Sequence, residues 1–103
     1  GISVGLVVDQ KMNDGIEVPF FNKPAMTSDA LAQLCLKIKS FVVPVQIERI
    51  KNTNFKVTFH NPVRISKNGK KKSPLQIMTE VNLIIEKWIR KNPGQWLWLH
   101  RRW

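Results

Sequence analysis

The hydrophobic pattern starts with a nearly unbroken apolar run from Ile2 to Val8, rich in β-branched side chains. A run of this length and composition is typical of a strand that is buried on both faces. A second such run, Phe41 to Ile47, predicts another interior strand. Between them, Ile16 to Phe21 predicts a shorter strand, which Pro19 confines to a sheet edge because proline has no backbone N–H to donate.

Two segments instead repeat their apolar residues at the spacing of an amphipathic helix. The first runs to about Lys39, with Thr27 or Ser28 as its cap. The second opens at Ser73 and Pro74, because serine caps a helix well and proline is tolerated in the first turn. Its apolar stripe, which we interpret as core, consists of Ile77, Val81, Ile84 and Trp88.

The order strand, helix, strand favours a right-handed crossover that brings the flanking strands parallel. Phe55 to Phe59 alternates apolar and polar residues and predicts a strand with one solvated face. Lys67 to Lys72 predicts a solvated loop of like charges. The pattern as a whole therefore predicts the α/β class, with a mixed, mostly parallel sheet and flanking helices.

Polar side chains follow the first predicted strand directly: Asp9, Gln10 and Lys11. In α/β sheets, ligands bind outside the carboxyl ends of the strands, so this is the best-placed polar cluster of the chain. The alternative is an ordinary transition from strand to loop, since a strong turn signal at Asn13 to Gly15 comes close behind. The residues alone leave both interpretations open.

The terminal segment, Asn92 to Trp103, carries three of the four Trp together with His100, Arg101 and Arg102. Trp suits a boundary between an apolar and a wet region, and the Arg guanidinium matches phosphate or carboxylate. This mixture indicates a surface for an anionic, apolar partner or for nucleic-acid bases. The alternative is a terminal helix that packs its Trp side chains on the domain and leaves the Arg pair solvated.

Length and composition limit these readings. A chain of 103 residues forms at most one small domain, and its apolar runs are far shorter than the roughly 20 residues that span a bilayer. The net charge of +10 favours an anionic partner: nucleic acid, an anionic membrane face or a phosphorylated substrate. The one cysteine, Cys35, excludes an internal disulfide and is interpreted as a small core residue.

Recognisable catalytic groups are missing from the sequence. Neither His60 nor His100 is followed by an acid at catalytic spacing, and no Cys/His cluster has the spacing of metal ligands. There is no Gly-rich phosphate loop and no nucleophile elbow, so we expect no cofactor and no metal. The chain opens at Gly1 in a strand pattern, without Met or signal peptide, which we interpret as the interior of a longer protein.

The motifs in order resemble one family. Asn92 to Trp103 (NPGQWLWLHRRW) is similar to the terminal signature of the late acyltransferases of lipid A biosynthesis, the lauroyl and myristoyl transferases of the LpxL/HtrB type. Val8 to Lys11 resembles the family's Asp-Gln element. Val18 to Phe21, followed by Ala25 to Thr27, resembles its Phe-Phe-Gly-x-x-Ala-x-Thr block. Val43 to Val45 matches the Val-Pro-Val strand of the wider glycerolipid acyltransferase fold. The resemblance covers essentially all 103 residues.

Three departures accompany the resemblance. Asn22 stands where the family commonly has Gly, and Asn tolerates a left-handed backbone well enough to keep the turn. Gly94 replaces the usual Glu of the terminal signature. The family's catalytic His-x-x-x-x-Asp/Glu motif is absent. The resemblance therefore implies that residues 1–103 are the C-terminal part of a single acyltransferase domain, without its N-terminal half and membrane anchor and inactive alone.

For the whole enzyme, the resemblance implies transfer of a fatty acyl chain from an acyl-carrier-protein thioester to a lipid A precursor hydroxyl, at the cytoplasmic face of the bacterial inner membrane. Asp9 would support catalysis by fixing the geometry of the site, and Gln10 and Lys11 would contact the acceptor. Thr27 would orient a polar group or cap its helix, and we favour capping. The residues expected to meet the anionic membrane are Trp96, Trp98, Arg101 and Arg102.

A small basic nucleic-acid-binding module is the alternative, because of the charge and the Trp/Arg segment. Such a module predicts exposed aromatics on a sheet and binding that weakens steeply with salt. The aromatics here lie in apolar runs, so we do not expect nucleic acid as a partner.

Overall fold

The computed structural model describes residues 3–96 and 101–103. Within them, six strands and two helices follow one another, with a 3₁₀ turn at Pro93–Gln95. In chain order they are β1 (Lys11–Phe20), β2 (Lys23–Thr27), α1 (Ala30–Ile38), β3 (Val45–Lys51), β4 (Asn54–Phe59), β5 (Ser66–Lys67), β6 (Lys70–Lys71) and α2 (Pro74–Lys91).

The described strands pair only as local antiparallel hairpins: β1 with β2, β3 with β4, and β5 with β6. The prediction of an α/β fold with a mostly parallel sheet is therefore wrong, and the protein is a small α+β domain. Short turns explain the difference. Asn22 and Asn52 have positive φ angles of 61° and 52°, and Asn adopts this left-handed conformation more readily than most residues. The expectation that Asn22 preserves its turn is confirmed.

The two apolar runs do not form the interior strands that were predicted for them. Residues 3–8 form no strand, and Val4 and Val7 are exposed. In the second run the strand begins only at Val45, after Val42 has made an isolated bridge to Val63. A continuous apolar run signals contact with apolar surroundings, but it does not specify that the contact is a sheet.

Both helices are confirmed. α1 ends at Ile38, where Lys39 adopts the left-handed conformation common at helix ends. α2 starts as predicted: the Ser73 hydroxyl accepts a hydrogen bond from the Gln76 N–H, and the Gln76 side chain accepts one from the Ser73 N–H. This reciprocal arrangement is a capping box, which satisfies donors that the helix itself leaves unpaired.

Replacing Ser73 with Ala removes the acceptor for the Gln76 N–H. We expect Ser73→Ala to lower the free energy of unfolding by about 1 kcal/mol, the usual contribution of an N-cap. Urea denaturation followed by circular dichroism measures this. Ser66→Ala is the matched control, because Ser66 is exposed in β5. Equal stability of the two variants would contradict the role of Ser73 as the stabilising N-cap of α2.

The core lies between the β1–β2 hairpin and α2. Its central side chains are fully buried on both elements: Val18 and Phe20 on the hairpin, Ile77 and Met78 on the helix. The interpretation of the α2 stripe as core is confirmed at Ile77 and Val81, whereas Ile84 and Trp88 are only partly buried.

A bulge interrupts the register of β1. Lys11 and Ile16 both pair with Thr27, so the residues between them are extra in β1. The turn signal at residues 13–15 is therefore a bulge inside a strand and not a turn between strands. At its end, Gly15 lies so close to the backbone of Thr27 that a Cβ atom would overlap the Thr27 carbonyl. Only glycine fits there without a backbone shift.

Candidate functional site

An apolar cleft of about 550 Å³ lies between the extended segment of residues 5–9, β3 and the C-terminal half of α2. Its walls are mostly apolar, and its polar side chains are few. Asp9 stands at the end of the extended segment, and Glu48 and Asn92 face the cleft from the other side. An apolar cleft with a few polar groups suits a ligand that has a hydrocarbon portion and a polar end.

A second cleft of about 670 Å³ adjoins the first. The two share lining residues on all three walls, which are Gly5, Leu6, Val8, Val45, Ile85 and Trp88. The second cleft continues towards α1, where Cys35 lies in its wall. Burial raises the pKa of the Cys35 thiol, so this cysteine stays protonated and apolar, as expected for a core residue.

The predicted polar cluster after Val8 is only partly assembled. Asp9 is half-buried and borders the first cleft, whereas Gln10 is exposed. Lys11 points towards the other end of the chain, where its Nζ donates a hydrogen bond to the backbone carbonyl of Trp103 at 3.0 Å. The chain thus brings Asp9 to the cleft and uses Lys11 to hold the terminal segment.

The most deeply buried polar group is a cluster of three side chains from distant parts of the chain: Thr27, Asn82 and Arg102, which we call the Arg102 cluster. Arg102 is 2 % exposed. Its guanidinium donates to the Met26 carbonyl at 3.0 Å and to the Thr27 hydroxyl at 2.8 Å. It also lies over the Phe20 ring, 5.0 Å from the centroid, so β1 and β2 both hold it.

Two opposing effects act on the Arg102 charge. Burial lowers the pKa of the Arg102 guanidinium, and the negative charge of Asp9 raises it. An arginine side chain nevertheless stays protonated in proteins, because the ordinary pKa of the guanidinium lies far above neutral pH. Asp9 therefore connects the two features of the site: it borders the cleft and it stabilises the buried cation.

Two predicted roles need correction. Arg102 was expected on the surface, in contact with an anionic membrane, but its side chain lies inside the domain; Arg101 is exposed. Thr27 does not cap α1, whose N-cap is Asp29, with the Ser28 hydroxyl accepting from Ala30 N–H. The Thr27 hydroxyl instead donates to a backbone carbonyl of β2 and accepts from Arg102.

The tryptophans of the terminal segment serve packing wherever they are described. Trp96 packs edge-on against Phe20, with ring centroids 5.8 Å apart. The Trp103 indole N–H donates to the Phe20 carbonyl at 3.0 Å. Trp98 lies outside the described residues, so its predicted membrane contact stays a prediction.

Asn82 is a site residue that the sequence analysis missed. It is fully buried on α2, and its amide donates to the Pro19 carbonyl at 3.3 Å, with the Thr27 hydroxyl 3.5 Å away. A sequence signal existed: Asn82 follows Met78 by one helical turn and so shares the buried side of α2. A polar residue on that side needs a buried partner.

The remaining polar groups of the described residues show no clustered metal ligands, and His60 has no carboxylate partner. Among residues 3–96 and 101–103, no three His, Cys, Asp or Glu side chains converge as metal ligands would. His60 stacks on Trp88 at 4.9 Å, and its Nε2 lies 3.2 Å from the Gln46 side-chain oxygen. An amide oxygen is not the carboxylate that normally orients a catalytic imidazole.

The same described residues contain no helix with the length and apolar character that a bilayer crossing requires. Comparison with protein-family models finds a match over residues 1–103 to the family described as bacterial lipid A biosynthesis acyltransferase. Comparison with individual curated proteins finds no match.

Proposed function

The match spans the whole chain, so this protein belongs to the bacterial lipid A biosynthesis acyltransferase family, and from that premise we propose its reaction. The proposed reaction transfers a fatty acyl chain from an acyl-carrier-protein thioester to a hydroxyl of a lipid A precursor. We place it at the cytoplasmic face of the inner membrane, with the late lauroyl and myristoyl transferases as the subtype. The family match carries this proposal.

The adjoining clefts support an acyl ligand. Their shared walls are apolar, and burial of apolar surface contributes roughly 25 cal/mol per Å², so a hydrocarbon chain gains affinity with each methylene enclosed. In this proposal, Asp9 stands where the polar end of the ligand lies, and its carboxylate accepts a hydrogen bond there. Gln10, which is exposed beside it, reaches the acceptor.

The reaction also needs a base that removes the proton of the attacking hydroxyl. The sequence holds no His followed by an acid at the family's spacing. We therefore propose that the base belongs to a part of the protein outside these 103 residues, and that this chain alone is inactive. Its contribution is the apolar groove and the positioning carboxylate.

Acyl transfer by the complete protein tests the proposal, with a lipid A precursor as acceptor and acyl-carrier protein as donor. We expect Asp9→Asn to lower the rate about 100-fold, the scale on which a positioned polar group affects catalysis. Asp14→Asn is the matched control, because Asp14 is exposed in the β1 bulge.

The thermal unfolding midpoint of each variant is measured in parallel, because Asp9 also acts on the buried Arg102. A rate loss without a matching loss of folded protein assigns Asp9 to the reaction. Absence of acyl transfer by the unmodified protein would contradict the proposed function. Full activity of the Asp9→Asn variant would contradict the proposed role of Asp9 in the reaction.

A further inference from the structure

The Arg102 guanidinium is a buried cation whose direct partners are all uncharged. They are the Met26 carbonyl, the Thr27 hydroxyl and the ring of Phe20. A charge inside a protein is costly unless an opposite charge compensates it, and neutral hydrogen-bond acceptors do so only in part. Arg102 therefore needs an anion close by, in addition to the groups to which it is hydrogen-bonded.

Asp9 is the acid that the chain brings to this cation. Its negative charge acts on the guanidinium and raises the pKa of Arg102. A hydrogen bond from the Lys11 Nζ to the Trp103 carbonyl, 3.0 Å long, ties the segment just after Asp9 to the segment just after Arg102. The Arg102 Nε–H is buried and has no partner among the described residues, so one donor of the guanidinium remains free.

Of these two charges, the cation is the fixed one. β2 holds both terminal nitrogens of the Arg102 guanidinium, and the Phe20 ring of β1 lies against its plane. Asp9 belongs to no strand or helix, and its carboxylate makes no hydrogen bond or ion pair with the residues that the structure describes. The position of the guanidinium therefore determines where the carboxylate is most stable.

We propose that Arg102 is a positioning residue of the reaction, whose buried charge holds the Asp9 carboxylate at the rim of the first cleft. The proposal rests on the proposed function, in which Asp9 accepts a hydrogen bond from the polar end of the ligand. Arg102 itself lines neither cleft, so it acts on the ligand only through Asp9.

A double-variant cycle of acyl transfer by the complete protein tests this role. Arg102→Lys keeps a positive charge but loses the planar fork that fixes it. We expect Arg102→Lys to lower kcat about tenfold and to change KM less than about twofold, because a misplaced group slows the reaction more than it weakens binding. In an Asp9→Ala background the same substitution should lower kcat less than about twofold, because no carboxylate remains to be positioned.

Met78→Ala is the control for a purely structural effect. Met78 is fully buried in the core and lines neither cleft, so its truncation destabilises the fold without acting on Asp9. We expect it to change kcat by the same factor in both backgrounds. The same behaviour of Arg102→Lys would make its role structural and overturn the proposal, and so would an unchanged kcat or a change in KM alone.

A measurement of stability needs no acyl donor and so separates this proposal from the proposed function. Asp9→Ala should raise the unfolding equilibrium constant at least about tenfold, because it leaves a buried charge without its counter-charge. In an Arg102→Met background the rise should be less than about twofold, because the charge is gone. Urea denaturation of the four proteins measures both values, and equal effects in the two backgrounds overturn the proposal.

Charge reversal at Asp9 gives the same test if Arg102→Met does not fold. We expect Asp9→Lys to raise the unfolding equilibrium constant at least about tenfold more than Asp14→Lys, because only the first places a second cation beside the buried one. Asp14 is exposed in the β1 bulge. Equal effects overturn the proposal. Acyl transfer without coupling between Asp9 and Arg102 overturns only the positioning role, whereas coupling without transfer overturns the proposed function and not the pairing of the two residues.

Discussion

Replacing Arg102 with Ala is expected to remove much of the domain's free energy of unfolding, although Arg102 directly follows another arginine in the sequence. The substitution removes hydrogen bonds to the partly buried Met26 carbonyl and to the Thr27 hydroxyl, which is fully buried. A hydrogen bond to a charged group contributes about 1.5–3 kcal/mol, so we expect a loss of about 4 kcal/mol in the free energy of unfolding. Chemical denaturation followed by Trp fluorescence measures it.

Arg101→Ala is the matched control, because Arg101 is exposed and has the same side chain one residue earlier. We expect it to change stability by less than about 0.5 kcal/mol, as is usual for surface substitutions. Arg102→Met separates packing from polarity, since it keeps an unbranched apolar stem and removes the donors. Equal effects of Arg101→Ala and Arg102→Ala would contradict the buried placement of the Arg102 guanidinium.

Gly15→Ala is expected to be the second most damaging substitution. A Cβ atom at this position overlaps the Thr27 carbonyl, which is backbone and cannot swing away as a flexible side chain does. The bulge must open or the β1–β2 pairing must shift, and we expect a cost of about 3 kcal/mol, at the upper end for overpacking. Thermal unfolding by calorimetry or circular dichroism measures the change.

Gly94→Ala is the control for Gly15→Ala, since a Cβ at Gly94 meets nothing within 4 Å. Alanine also restricts the unfolded chain more than glycine, so the control should be neutral or slightly stabilising. If Gly15→Ala were as stable as Gly94→Ala, the close approach of the bulge to β2 would be wrong.

Local patterns in the sequence predicted local structure well. α2 and its Ser73 cap, α1 and its end near Lys39, and the strand at Phe55 to Phe59 all appear where the pattern placed them. Each depends on spacing within one segment: apolar residues on one helix face, a hydroxyl before a proline, or alternation along a strand. Such signals do not depend on the rest of the chain.

Pairing between segments was not predictable in the same way. The apolar run of residues 2–8 was interpreted as an interior strand, but its described part borders clefts and forms no ladder. Arg102 was placed at the surface because its guanidinium matches the phosphates of an anionic membrane. Its partners, Met26 and Thr27, lie on β2, and no spacing rule connects them to it. Among the predicted site residues, Asp9 borders the first cleft, whereas Thr27 and Arg102 lie together in the Arg102 cluster; their roles in the reaction stay predictions.

The contacts of residues 102 and 103 affect the order in which this protein folds during synthesis. Trp103 bonds to Phe20 and Lys11, and Arg102 bonds to Met26 and Thr27, so the β1–β2 hairpin completes its packing only after residues 102 and 103 have been synthesised. A ribosome synthesises the chain from its N-terminus at about 5–20 residues per second. The part of the β1–β2 surface that residues 102 and 103 cover therefore stays uncovered for several seconds. We therefore expect nascent chains stalled before Arg102 to depend on chaperones, and chains in which residues 102 and 103 have left the ribosome to complete this packing rapidly.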